Sequence, residues 1–166
     1  MTKQDRPTEE FRQEHEHLMT HVTDLRRTMD GLRTGLTEET MAGLKEADWF
    51  FQAALKPHAQ WEEENLYPVA NDIIREHGKP SATMEVDHVD LVSRMDSFRS
   101  QLESVQTGKA TPEDVDRLRV LGYQIEAILS LHFRKEEDVY LDAMDRHARP
   151  EVVANLMEAA RHAHSH

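Results

Sequence analysis

The sequence predicts an all-α protein, an up-down-up-down antiparallel four-helix bundle with a short C-terminal extra helix. Three observations lead there. Apolar residues recur at helical spacing through most of the 166 residues. β-branched runs are short, and no hairpin dipeptide separates them. Glycine and proline cut the pattern into four long segments with short links, which favour antiparallel neighbours.

Residues 1–8 are polar and read as a loose N-terminus. Thr8 is placed to cap a first helix from about Glu9 to Asp30, with acids in its first turn and Gly31 and Gly35 to stop it. A second helix starts after Thr37 and runs past Trp49, Phe51, His58 and Leu66 toward His77, with Gly78 closing it. Pro57 and Pro68 lie inside that pattern, and each removes a backbone donor, so a kink or break is expected rather than one straight rod. The third helix spans about Ala82 to Gln106 and ends at Gly108. Thr111-Pro112-Glu113 supplies an N-cap, a proline at the first helical position and an acid, opening a fourth helix to about His147. Pro150 opens a short amphipathic segment through Val153, Leu156, Met157 and Ala160. Residues 9–147 thus form the bundle, and 148–166 a final helix and a histidine-containing tail.

Composition narrows the function. Against 20 Lys and Arg stand 32 Asp and Glu, a formal charge of -12 that disfavours nucleic acid and anionic membrane as partners. No long apolar run or signal peptide is visible, and the cytoplasm is the expected location. Cysteine is absent, which excludes disulfides, thiolate metal sites and cysteine nucleophiles. A metal here must be held by nitrogen and oxygen.

One motif invites that reading. His58-Ala59-Gln60-Trp61-Glu62 is echoed 74 residues on by His132-Phe133-Arg134-Lys135-Glu136, and a second acid follows each, Glu63 and Glu137. Four residues make about one helical turn, so each histidine and glutamate point to the same side. A single such pair among 11 histidines and 32 acids would read as a solvated face. The repeat around it changes that. Trp49 aligns with Tyr123, Phe51 with Ile125, Leu55 with Leu129, Leu66 with Tyr140 and Tyr67 with Leu141. Upstream, Leu18, Met19, Val22, Leu25 and Met29 follow His15 at the offsets at which Leu91, Val92, Met95, Phe98 and Leu102 follow His88. The chain is a duplicated helix pair, each copy carrying one lone histidine and one H-x-x-x-E. Antiparallel packing at about 1.5 Å per residue lets His15, His58, His88 and His132 reach one level. Their apolar neighbours turn them inward.

With these motifs in order the sequence resembles the hemerythrin-like, or HHE cation-binding, family. The residues that carry the resemblance are Glu14-His15-Glu16-His17-Leu18, His58 to Glu63, Asp87-His88-Val89-Asp90-Leu91, His132 to Glu137, and Leu66-Tyr67-Pro68. The resemblance implies a non-haem di-iron centre: two iron ions with a bridging oxide or hydroxide, His15, His58, His88 and His132 as terminal ligands, and Glu62 and Glu136 bridging. Mixed imidazole and carboxylate donors suit iron, and also manganese or zinc, whereas magnesium and calcium prefer all-oxygen sites; the resemblance is what puts iron ahead of the other two. With six-coordinate ions, about two positions remain for an exogenous ligand. The family's oxygen carriers have a further histidine where this chain has Val92, which argues against oxygen carriage and for a more open centre.

The function expected is therefore reaction with a small oxidant, hydrogen peroxide, dioxygen or nitric oxide, with peroxide decomposition leading and a non-catalytic sensing or storage module as the alternative. The partners expected are a small diatomic or peroxide ligand and an unidentified electron donor or protein partner. Tyr140, one turn beyond Glu136, is the candidate catalytic residue as a ligand or redox-active phenol, although the plainer reading is a core tyrosine bonded to a carboxylate. Tyr67 is less well phased on an α-helix. His17 and His21 have no counterpart in the repeat, and His77 and His147 suit helix C-termini. His162, His164 and His166 read as a frayed tail. A ferritin-like arrangement built on Glu85 and His88 would leave His58 and His132 without a role.

Overall fold

The computed structural model describes residues 6–74 and 81–163, with side chains through Arg161. Those residues form four long helices and a short fifth, with no strand among them. We label them α1 (Glu9–Gly31), α2 (38–73), α3 (Ala82–Ser104), α4 (112–147) and α5 (Pro150–Ala163). Packing of α1 on α2 and α4, and of α3 on α2 and α4, closes the ring expected of consecutive antiparallel helices.

The helix ends follow local chemistry, with two departures. Thr37 and Thr40 cap α2 reciprocally, and Thr111 does the same with Asp114 at the start of α4, where Pro112 needs no donor. Thr8, in contrast, occupies the N-cap of α1 without capping it: its backbone N–H and hydroxyl both donate to Asp145 Oδ1, at 2.9 and 2.8 Å. That ties the start of α1 to the end of α4. Gly31 ends the α-helical stretch of α1 but does not turn the chain. It keeps helical angles, a 3-10 turn Leu32–Thr34 follows, and the chain turns at Gly35, whose φ of 121° only glycine adopts freely. At the end of α3 a π-type turn, Val105–Lys109, closes at Gly108 (φ 76°).

The prolines of α2 do not break it. A π turn, Phe51–Leu55, precedes Pro57, and a second, Glu62–Leu66, precedes Pro68. After each, the N–H of the next residue bonds five residues back, Lys56 to Phe51 and Tyr67 to Glu62. Each proline then falls in the first turn of the α-helical segment that follows, and the wider π turn accommodates the lost donor. Helix α4 carries a π turn at the equivalent place, Glu136–Leu141, with no proline. Both copies therefore widen at the glutamate of H-x-x-x-E. Helix α2 ends at Ile73, short of the expected His77, which with Gly78 lies outside the described residues.

Two apolar clusters fill the bundle. The larger takes Leu18, Val22, Leu25 and Met29 from α1, Leu44 to Leu55 from α2, Leu91 to Leu102 from α3, and Leu118 to Phe133 from α4. Burying each large side chain there contributes roughly 1.5–3 kcal/mol before entropy is counted. The smaller gathers Phe11, Trp61, Tyr67, Met84, Tyr140 and Met144, roofed by Val153, Leu156, Met157 and Ala160 of α5. Most of the repeat pairs expected to face inward do so, but Trp49 is exposed and Tyr123, Met19 and Val92 are only partly buried. Along every helix of the ring, the histidine of the motif falls where one cluster gives way to the other.

Candidate metal centre

His15 on α1, His58 and Glu62 on α2, His88 on α3, and His132 and Glu136 on α4 converge between the two clusters. All six are at most 4% exposed. Their donor atoms form two groups, His15, His58, Glu62 and Glu136, and Glu62, His88, His132 and Glu136, each with its atoms within 4.8 Å of one another. The two groups share the glutamates. Glu62 turns Oε1 to His58 Nε2 (2.9 Å) and His15 Nε2 (3.6 Å), and Oε2 to His88 Nε2 (3.3 Å) and His132 Nε2 (4.0 Å). Glu136 divides likewise, Oε2 lying 3.5 Å from His15 Nε2 and Oε1 3.5 Å from His132 Nε2. Each carboxylate thus offers one oxygen to each half.

The outward nitrogens are held just as regularly. His58 Nδ1 faces Glu14 Oε1 at 3.1 Å and His132 Nδ1 faces Asp87 Oδ2 at 3.2 Å. His88 Nδ1 faces Glu63 Oε1 at 2.8 Å, and His15 Nδ1 faces Glu137 Oε1 at 3.5 Å. The acid before each lone histidine serves the other histidine of its own copy, whereas the acid after each shared glutamate serves the lone histidine of the opposite copy. A carboxylate behind Nδ1 keeps the proton there and leaves the Nε2 lone pair pointing inward. The sequence displayed these four acids beside the motif but not their crossed duty, which needs the packing of the two copies. Lys135 also reaches Asp87.

Charge and burial oppose each other here. Burial lowers the affinity of His15 for a proton, but Glu137, Glu62 and Glu136 outweigh it and raise its pKa to about 9. His132 is raised to about 10 in the same way, against burial, by Glu136 and Glu62. His58 is raised well above its ordinary value, the carboxylates of Glu62 and Glu14 overcoming burial. Burial would raise Glu62, yet the imidazoles led by His58 hold it well below the usual carboxylate range. Even so, both oxygens of Glu62, Oε2 of Glu136 and Nε2 of His15 are buried without a hydrogen-bond partner. Inward-facing acceptors left unsatisfied by protein are costly unless a cation meets them. The donor set therefore fits metal ions.

The two tyrosines exchange the places expected of them. Tyr67 donates to Glu136 Oε1 at 2.7 Å and lies 3.3 Å from His88 Nε2. Burial and the two nearby carboxylates raise its pKa and keep it protonated. The hydroxyl of Tyr140, the sequence's candidate, is hydrogen-bonded to Thr83 instead. The π turn explains the exchange. With five residues in that turn, position +5 from Glu62 comes onto the face that +4 would hold in an α-helix, and Tyr67 is at +5. Tyr140, at +4 from Glu136, is carried off it by the equivalent turn.

Val92 lies one turn after His88 and lines a small cavity with Leu91, Met95, Glu62, His88 and His132. The cavity is about 10 Å³, enough for one water-sized molecule. His17 and His21 pack on each other, and His21 stacks on Phe50 at 4.6 Å. Neither joins the cluster. Glu85 accepts from Ser81 at 3.2 Å, which leaves the ferritin-like arrangement without support. The side chains of His162, His164 and His166 lie outside the described residues.

A four-helix bundle whose centre gathers two groups of buried His and Glu donors around shared carboxylates defines a metal-binding module. More specifically, the chain belongs to the hemerythrin HHE cation-binding domain family, whose model matches residues 6–144. No curated protein and no solved structure gave a significant match. Among the described residues, no helix is long and apolar enough to cross a membrane.

Proposed function

We propose that the protein is a non-haem di-iron protein that reacts with a small oxidant, hydrogen peroxide foremost, with His15, His58, His88 and His132 as terminal ligands and Glu62 and Glu136 bridging. The single observation that carries this reading is the division of the two carboxylates, one oxygen of each toward each half of the cluster. A pair of ions can share such oxygens, and mixed N and O donors suit iron. When bound, two iron ions supply the capacity to exchange two electrons with peroxide or dioxygen.

The chain's own residues do the rest. Glu14, Glu63, Asp87 and Glu137 orient the imidazoles. Tyr67 holds a proton at Glu136 Oε1, where an oxygen substrate that becomes more basic during reaction has a donor at hand. Leu91, Val92, Met95, Leu129 and Phe133 give the cavity an apolar wall, and its size of about 10 Å³ admits only a small molecule. No residue of that wall blocks the position next to His88 with a further imidazole. Candidate partners are thus peroxide or a diatomic ligand, together with an electron donor of unidentified nature.

Elemental analysis of the iron-loaded protein, followed by peroxide-driven oxygen evolution, tests the proposal. Two irons per chain and turnover well above free iron are expected. Two irons without turnover would move the assignment to a sensing or storage module. A single zinc, or no metal, would reject the di-iron reading.

A further inference from the structure

Every donor of the centre is buried, so an ion reaches it only by passing between helices. Four carboxylates stand behind the imidazoles, and exposure alone does not choose among them: the side chain of Glu63 is 42% exposed and that of Glu14 25%. Glu14 is set apart by what surrounds it. It lines a groove of about 650 Å³ between α1, α2 and α5, and the buried ring of His58 is part of the same lining. The groove thus runs from solvent to a histidine of the centre. Glu10, Glu14 and His17 form its α1 side, at spacings of four and three residues that put them on one helix face. Ala54 and Pro57 of α2 and Ala160 of α5 are short side chains, and they leave the space open.

The second copy shows what differs in the first. Thr83, Asp87 and Asp90 stand where the first copy has Glu10, Glu14 and His17. Lys135 reaches Asp87, and Arg94 bonds Asp90 at 2.9 Å. The positions of those two cations are Trp61 and His21 in the first copy, so its stripe of donors is written without them. Arg161 of α5 does pair with Glu10, at 3.3 Å, but both side chains are more than half exposed. Such a pair is screened and exchanges readily.

From the groove and the donor stripe we infer that this is the port by which divalent metal enters the centre. The inference rests on reading the cluster as a metal centre. Carboxylate and imidazole side by side suit a ferrous ion in transit, and an acidic lining raises the local concentration of cations. Glu10 and His17 receive the ion, Glu14 takes it next, and it passes His58 to reach Glu62. The last step follows contacts already in place: Glu14 Oε1 is 3.1 Å from His58 Nδ1, and His58 Nε2 is 2.9 Å from Glu62 Oε1. Both oxygens of Glu62 are buried without a hydrogen-bond partner, and they draw the ion inward. The space on the Glu14 side of His58 is where its ring turns aside. Helix α5 gains a role here, since its Met157 and Ala160 wall the groove.

Anaerobic mixing of ferrous ion with the metal-free full-length protein tests the port. Iron still open to a chelator is measured against time, and iron per chain at completion. Glu10→Gln combined with His17→Gln changes two exposed side chains, and is expected to slow uptake about tenfold while the final iron content equals that of the wild type. Wild-type uptake is expected to slow as salt rises, and uptake by the double variant to depend on salt less. Ala54→Phe, which narrows the groove without changing charge, is expected to slow uptake at every salt concentration. Asp90→Asn, at the position equivalent to His17, is expected to keep the rate within about twofold of wild type. An unchanged rate in the double variant, or equal slowing by Asp90→Asn, would overturn the inference while leaving the metal-centre reading in place. A lower final iron content in the double variant would overturn it too, because Glu10 and His17 would then hold metal rather than pass it. Wild-type protein that takes up no iron would reject the metal-centre reading and the inference with it.

Discussion

At the scale of residues, the centre is a competition between protons and metal for the same nitrogens. In the metal-free protein, carboxylates outweigh burial and raise His15 to about 9 and His132 to about 10. A histidine whose folded pKa exceeds its unfolded value contributes stability that is complete below about 6.5 and lost as pH rises through the folded value. The metal-free protein should therefore lose stability between about pH 6.5 and 10, measurable as a falling urea midpoint. Metal uptake at pH 7 should release protons, because the same nitrogens must be bare to coordinate. Calorimetry in buffers of different ionisation enthalpy measures that release, and buffer-independent heats would contradict it. The backing acids give a second prediction. Glu63→Gln keeps the shape but removes the charge 2.8 Å from His88 Nδ1, and should weaken metal binding roughly 10- to 100-fold. Competition with a chelator reads the change.

At the scale of elements, caps and widened turns set where side chains fall. Thr111 accepts from the Asp114 N–H, and Asp114 accepts from Thr111 in return. Thr111→Ala should cost about 1 kcal/mol in chemical denaturation at neutral pH. The bonds from Thr111 and Gln101 hold the exposed Asp114 carboxyl below its ordinary pKa. Its contribution is present above the unfolded value and fades as pH falls through the folded one, so Asp114→Asn should cost more stability at pH 7 than in acid below the ordinary carboxylate range. Where α1 crosses α4, a Cβ on Gly122 would lie 2.1 Å from Met29 Sδ and 2.6 Å from its Cγ. Gly122→Ala should destabilise by about 1–3 kcal/mol through overpacking. A stability equal to wild type would show that Met29 shifts freely.

At the scale of the molecule, the cluster is the floor of one apolar core and the ceiling of another, and α5 seals the smaller of the two. Two carboxylates and four imidazoles at that level tie all four long helices to one point. Metal removal should therefore be felt globally. Metal at about 100 times its dissociation constant adds roughly 2.7 kcal/mol of stability, which in a chain of this size is about 5–10 °C in Tm. Thermal denaturation before and after complete chelation checks it, and an unchanged Tm would argue against a buried metal.

What the sequence determined by itself was the helical class and the identity of the converging donors. Apolar period and the absence of strand signals define the first, and the duplication defines the second: His15 and His58, His88 and His132, Glu62 and Glu136 stand out because each has a partner in register. Pattern of this kind is local, so it survives without coordinates. Tertiary structure decided the rest. That Thr8 binds Asp145 rather than its own helix depends on what lies across the bundle. That Glu63 and Glu137 support histidines of the opposite copy depends on how the copies face each other. The exchange of Tyr140 for Tyr67 came from π turns at Glu62 and Glu136, which shift the phase of everything after them by one residue. A sequence read with α-helical spacing cannot place such a turn, because the packing around it selects the extra residue.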